Sequence, residues 1–244
     1  IENSRKIIAS ELNASPKEII FTSGGTESDN MLLRSAVEDL DVKTIISTKI
    51  EHHAILHALD YLEKKNISIV YLPVDKNGEF KYQDLENALS FDDSKKLVSL
   101  MHVNNEIGNM IDLEYVSQIC QSNGALFHTD AVQSLGHFKI DLTKIRVDFL
   151  SAAAHKFHGP KGVGFSFIRK NSGLNPFILG GSQEKGLRAG TESVHNIVGM
   201  SKALELAYKN LEEESKYVKN LKKYAILKIN KFFPKSHFNG NCDK

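Results

Sequence analysis

The chain has 244 residues, 41% of them hydrophobic, with 31 basic and 30 acidic side chains and a net charge of +1. That length supports one large domain, or one domain and part of another, and the balanced charge gives no electrostatic footprint for nucleic acid or an anionic membrane. No apolar run approaches the roughly 20 residues that span a bilayer. The two cysteines, Cys120 and Cys242, make neither a disulfide framework nor a Cys-based zinc site, which points to a reducing, cytoplasmic compartment.

The first helical pattern covers 2–12, where Ile7, Ile8 and Leu12 give a partial apolar face. It begins almost at Ile1, so further residues are expected to precede it. A strand at 18–22 then runs into "FTSGGTESDN" (21–30) and a helix at 27–40. Gly24 and Gly25 let the backbone turn sharply, and the free N–H groups of a helix start attract an anion, so this is either a phosphate cradle or plain capping. It lacks the spaced Gly-Lys-Ser/Thr ending of a nucleotide loop.

A strand at 44–48 leads through "TKIEHHAILHAL" into a helix at 52–65. His53 and His57 share a helical face, but no further ligands cluster with them and no metal site is expected. His52, at the strand-to-helix junction, is a candidate for ring stacking or proton transfer. After a strand at 68–72 and a helix at 82–89, the strand at 96–102 ends in Asn104, Asn105 and Glu106 before Gly108. The amides are turn formers or donors to a ligand oxygen.

A helix at 114–123 carries Cys120, which reads as a buried packing residue. The strand at 125–129 delivers His128, Asp130 and Gln133 in "ALFHTDAVQSLG". A carboxylate leaving a buried strand needs a cation or donors unless it caps the next helix. The strand at 147–151 opens "SAAAHKFHGPKGVGFSFIRK" (151–170), with His155 and Lys156 at its end and a further strand at 164–168. The turn between those two strands leaves no room for a helical crossover, so one antiparallel neighbour is expected. From Ser193 the pattern is helical, and "YKNLEEESKYVKNLKKY" (208–224) reads as a long solvated connecting helix. The closing "FNGNCDK" is turn-like, and more chain is expected beyond it.

This alternation predicts an α/β domain: a mainly parallel seven-stranded sheet with helices on both faces and one antiparallel strand. Ligands in that architecture collect at the carboxyl ends of the strands. A lysine there can hold a phosphate, pair with a carboxylate or form an imine with a carbonyl cofactor. Pyridoxal phosphate needs such a lysine, an acid facing its ring nitrogen, a stacking group and an anion cradle. Lys156, Asp130, His52 and the Gly25–Thr26 turn offer all four, a combination that no nucleotide-binding scheme uses.

The segments "FTSGGTESDN", "MHVNNEIG", "DAVQSLG", "AHKFHGPKGVG" and "GLRAGTESVHNIVGM", in this order across nearly the whole chain, resemble the cysteine desulfurases of the NifS/IscS type, in the class V aminotransferase family of pyridoxal-phosphate fold type I. The resemblance implies Lys156 as the Schiff-base lysine, Asp130 as the partner of the ring nitrogen and His52 as the stacking residue. Asn105 and Gln133 match residues beside the ring and its phenolic oxygen. Gly25 belongs to the cradle, Thr26 and His155 match phosphate ligands, and Thr191 matches a ligand that reaches the neighbouring subunit's phosphate in a homodimer.

Residues 1–212 then correspond to the large cofactor domain without its N-terminal part, and 213–244 to the start of the small C-terminal domain. The implied reaction takes sulfur from L-cysteine, leaves L-alanine and passes an enzyme persulfide to a sulfur-acceptor protein, for iron–sulfur cluster assembly or tRNA thiolation. Two departures stand out: Ala153 replaces a usual serine, and the family's catalytic cysteine and substrate-binding arginine have no counterpart before residue 244. A selenocysteine lyase or another lyase of the same fold would share every one of these residues, and a non-catalytic dimeric scaffold would share the fold.

Overall fold

Short runs of branched and aromatic residues pair into one sheet in the computed structural model, which describes residues 1–241. In chain order the strands are β1 (Ile19–Thr22), β2 (Thr44–Thr48), β3 (Ser68–Leu72), β4 (Lys96–Ser99), β5 (Leu126–Asp130), β6 (Phe149–Ala153) and β7 (Gly164–Ile168). They lie in the order β1-β7-β6-β5-β4-β2-β3. From β3 to β6 every pair is parallel, whereas β7 is antiparallel to both β6 and β1. The expected seven strands and single antiparallel member are therefore present. Only a short 3-10 turn, Ala154–Phe157, interrupts the connection from β6 to β7, so the chain doubles back beside the strand it has just left.

Among the described residues seven α-helices accompany the sheet: α1 (Glu2–Glu11), α2 (Gly25–Leu40), α3 (His53–Glu63), α4 (Tyr82–Leu89), α5 (Leu113–Ser122), α6 (Val194–Lys209) and α7 (Leu211–Phe232). One core cluster joins Met31 and Leu32 of α2 and Ile55 and Leu59 of α3 to Ile45 and Phe149 of the sheet. The other joins Ile8 of α1, Leu85 of α4, Val116 of α5 and Leu204 of α6 to Val98, Phe127 and Phe165. Apolar residues at helical spacing thus cover both sheet faces, removing them from water.

Several boundaries shift by one or two residues from the sequence expectation, and three departures have a cause in the structure. The strand expected at 96–102 ends at Ser99. Its extension still follows β5, with Leu100 N–H donating to His128 O at 3.2 Å and His102 N–H to Asp130 O at 3.0 Å. β6 starts two residues later than expected because the Asp148 carboxylate takes the Phe127 N–H at 2.8 Å, replacing a ladder bond. The helix expected across 208–224 breaks at Asn210, a poor helix former, which separates α6 from α7. No residue of α7 is buried.

A buried ion pair closes the far side of the sheet. Arg5 of α1 meets Glu184, on the loop after β7, through Nη1–Oε2 at 2.7 Å and Nη2–Oε1 at 2.9 Å. Arg5 Nη1 also donates to Ile19 O at 2.6 Å, and Phe21 N–H donates to Glu184 Oε2 at 2.7 Å. These bonds hold Glu184 and Lys185 in consecutive left-handed conformations, φ 45° and 59°. Replacing Arg5 by Ala strands a carboxylate that has lost its water, so Arg5→Ala is expected to cost about 3–5 kcal/mol in urea unfolding.

Candidate active site

The carboxyl ends of β1, β2, β4, β5 and β6 open onto one cavity of about 240 Å³. Gly25, Thr26, His52, Asn105, Asp130, Gln133, His155 and Lys156 all line it, as do Asp29, Met101, Val132 and Ala153. Eight of the nine residues singled out in the sequence therefore meet at one place. Thr191 does not: it lies on the loop before α6 and lines a separate cavity of about 100 Å³ with Thr22, Ser23 and Arg188. Arg188 holds that loop to α2 by a forked pair with Glu27, Nε–Oε1 at 2.6 Å and Nη2–Oε2 at 3.1 Å.

The cradle wall is the start of α2. A Cβ on Gly25 would stand 2.7 Å from Val132 Cγ2, so only glycine lets the helix start approach the loop after β5 this closely. The N–H groups of this first turn have no acceptors within the helix, and Thr26 is exposed beside them. Where the resemblance leads one to expect a serine, Ala153 presents a methyl group to the cavity.

The opposite wall carries Lys156, half-buried in the 3-10 turn after β6, whose carbonyl accepts a hydrogen bond from His137 Nε2 at 2.9 Å. His52 is the N-cap of α3, and its Nδ1 accepts from Ala54 N–H at 3.1 Å. That bond leaves Nε2 as the protonated nitrogen of the neutral ring. His155 is exposed, and its pKa is lowered by partial burial and by the neighbouring Lys156 and Lys161.

Acids form the floor. Asp130 Oδ1 accepts from Val132 N–H at 2.8 Å. Burial raises the proton affinity of Asp130, while Val132 N–H, His52 and Lys156 oppose that rise. Asp29 is buried with Oδ1 unpartnered, and burial followed by repulsion from Asp130 holds its pKa well above the carboxylate range. Its 3.7 Å approach to His128 Nε2 is not an ion pair, because burial drives the His128 pKa down to about 3. His128 instead bridges Ser99 Oγ at 2.9 Å and Ser151 Oγ at 3.1 Å. Glu51, buried behind His52, is pushed up to about 8 by burial and then by Asp130.

These residues fit pyridoxal phosphate, the cofactor expected from the sequence. The buried acid Asp130 on the floor, the amine of Lys156 on one wall and the helix start opened by Gly25 on the other match the ring nitrogen, carbonyl and phosphate of that group. Asp29 was not singled out in the sequence, although it lies three residues beyond Thr26, on the same side of a helix. His53 and His57, with rings 5.1 Å apart, lie outside this cavity.

The aminotransferase class-V family model matches residues 1–242. A cysteine desulfurase IscS of Dictyoglomus turgidum is 45% identical over 242 residues, which are 98% of this chain and 61% of that protein. Among solved structures, a NifS-like protein aligns with a TM-score of 0.88 at 42% identity, covering 92% of this chain and 62% of the other. One described as SspA in complex with cysteine aligns with a TM-score of 0.79 at 36% identity, covering 84% and 59%. The chain thus spans about three fifths of the length of the curated relatives it matches.

The buried acids set a pH dependence of stability. Glu51 is neutral in the folded chain up to about pH 8 but ionises near its ordinary value of 4.5 when unfolded, so folding takes up a proton between those limits. Its contribution to stability is greatest below pH 4.5, falls as the pH rises towards 8 and then levels. Glu51→Gln is expected to flatten that fall in urea unfolding measured across this window.

Proposed function

The chain belongs to the aminotransferase class-V family, and on that premise we propose that it is the cofactor-binding part of a pyridoxal-phosphate-dependent cysteine desulfurase, which takes sulfur from L-cysteine and leaves L-alanine. The observation that carries this reading is the pairing of Lys156 and Asp130 on one cavity, beside the Gly25–Thr26 helix start. The relative named as a cysteine desulfurase and the structure described in complex with cysteine support the choice of substrate.

When bound, pyridoxal phosphate supplies a carbonyl for the substrate nitrogen and a ring that draws electrons from the substrate Cα. Lys156 would supply the amine for that carbonyl and, as a free amine, a base for the Cα proton. The Asp130 carboxylate would keep a proton on the ring nitrogen. His52 would stack on the ring, Asn105 and Gln133 would lie beside it, and Gly25, Thr26 and His155 would hold the phosphate. Thr191, away from this cavity, would serve the phosphate of the second subunit in a homodimer.

The sulfur needs a thiolate acceptor. Cys120 is unsuited, since it is buried within the core and burial pushes its thiol far above the ordinary value. Cys242 lies outside the described residues, and the resemblance puts the accepting cysteine on a loop beyond residue 244. From there sulfur passes to an acceptor protein for iron–sulfur cluster assembly or tRNA thiolation, in the cytoplasm. Among the described residues no helix is long and apolar enough to cross a membrane. We read 1–212 as the large domain and 213–244 as the start of a small one, a division supported by the absence of buried residues in α7.

The test is the visible absorption spectrum of the purified protein together with alanine release from L-cysteine. The protein is expected to show a visible band that Lys156→Ala abolishes, with alanine release falling at least about a hundredfold. A protein that stays colourless after incubation with pyridoxal phosphate overturns the reading.

A further inference from the structure

We infer that Glu51 and Asn104 are positioning residues: each reaches from one of two neighbouring strand ends to a backbone group of the other, and together they fix His52 and Asn105 at the cavity. The inference rests on the reading that this cavity holds pyridoxal phosphate.

The strands β2 and β4 lie side by side and parallel, so the segments that follow them leave the sheet together. Glu51, after β2, accepts Met101 N–H on Oε2 at 2.9 Å. In the return direction Asn104, after β4, donates from Nδ2 to Ile50 O at 2.7 Å. Each side chain also closes its own turn. Glu51 Oε1 lies 2.9 Å from Thr48 Oγ1, and Asn104 Oδ1 accepts from Glu106 N–H at 2.9 Å and Ile107 N–H at 3.0 Å. Both residues are buried, at 7% and 6% exposure, and each directly precedes a polar residue on the cavity wall. Met101, the residue that Glu51 grips, lines the cavity as well.

Such a rivet acts through geometry rather than charge. The charged groups closest to influencing Glu51 are the acids Asp130, at the end of β5, and Asp29, on α2. No cation pairs with Glu51 among the described residues, and burial holds it in the neutral form. Glu51 Oε1 accepts from Thr48 Oγ1 and Oε2 from Met101 N–H. A glutamine amide keeps the acceptor for Met101 N–H and turns its N–H to Thr48 Oγ1, a hydroxyl that accepts as well as donates, whereas alanine leaves Met101 N–H buried without a partner.

The experiment is equilibrium dialysis of pyridoxal phosphate at neutral pH, with the folded fraction checked by circular dichroism. The proteins compared are wild type, Glu51→Gln, Glu51→Ala, Asn104→Ala, His52→Ala and the Glu51→Ala/His52→Ala double variant. Glu51→Gln is expected to bind within about threefold of wild type, and Glu51→Ala and Asn104→Ala at least about tenfold more weakly, as misplaced contacts do. The double variant is expected to bind no more than about twofold worse than His52→Ala, because Glu51 works through His52.

Affinity in Glu51→Gln as poor as a tenfold loss, wild-type affinity in both alanine variants, or losses that multiply in the double variant each overturn the inference. If Glu51→Ala does not fold, Glu51→Gln and Asn104→Ala decide by the same limits. A wild type that binds no pyridoxal phosphate overturns both the inference and the reading beneath it, whereas a binding wild type with unresponsive variants overturns the inference alone.

Discussion

Desolvation of carboxyl groups along one edge of the sheet governs the site. Parallel strands packed on both faces end in a row, and whatever polar groups those ends carry lose their water together. Glu51 and Asp130 belong to that row and Asp29 of α2 is buried beside it, and three neighbouring charges cannot all persist there. What separates them is the donors each receives. Asp130 has the Val132 N–H and stands near His52 and Lys156. Glu51 has Thr48 and Met101, and Asp29 has an orphaned oxygen. Asp130 alone of the three has cationic groups, His52 and Lys156, that oppose the rise in its proton affinity, which makes it the acid best supported in carrying a charge.

The rest of the fold keeps that row in register. Gly25 lets α2 close over the loop after β5, while Ser99, His128 and Ser151 tie β4, β5 and β6 together beneath the floor. On the outer side the antiparallel β7 returns the chain to β1, and the loop beyond it is clamped twice, by Arg5 on Glu184 and by Arg188 on Glu27. Thr191 is carried on that clamped loop and lines a separate cavity.

The strand alternation and the antiparallel turn were legible from apolar runs and their spacing, and the eight cavity residues from strand-end motifs that stand in the order of a known family. Lys156, Asp130 and His52 interrupt patterns that would otherwise read as core. Asp29 was not legible: inside a helix an aspartate reads as a solvated face, and only the packing of α2 on the sheet buries it. Glu51 was visible as a neighbour of His52, but its bond to Met101 crosses 50 residues and leaves no local pattern. The late start of β6 has a similar cause, since the Asp148 side chain takes a bond that propensity assigns to the backbone. Asn210 was read through, because the charged spacing around it suits a helix on either side.

The pairing of Arg5 with Glu184 also has a temporal side. The two residues are 179 positions apart, and β1, next to α1, pairs among the described residues with β7 alone. At synthesis rates of about 5–20 residues per second, Arg5 leaves the ribosome roughly 9–36 s before Glu184, and β1 roughly 7–30 s before β7. Throughout that interval the guanidinium of Arg5 stays in water and the apolar side chains of β1 have no sheet to join. These elements are therefore made well before they are locked, and the edge of β1 is a segment of the nascent chain that needs shielding from other chains.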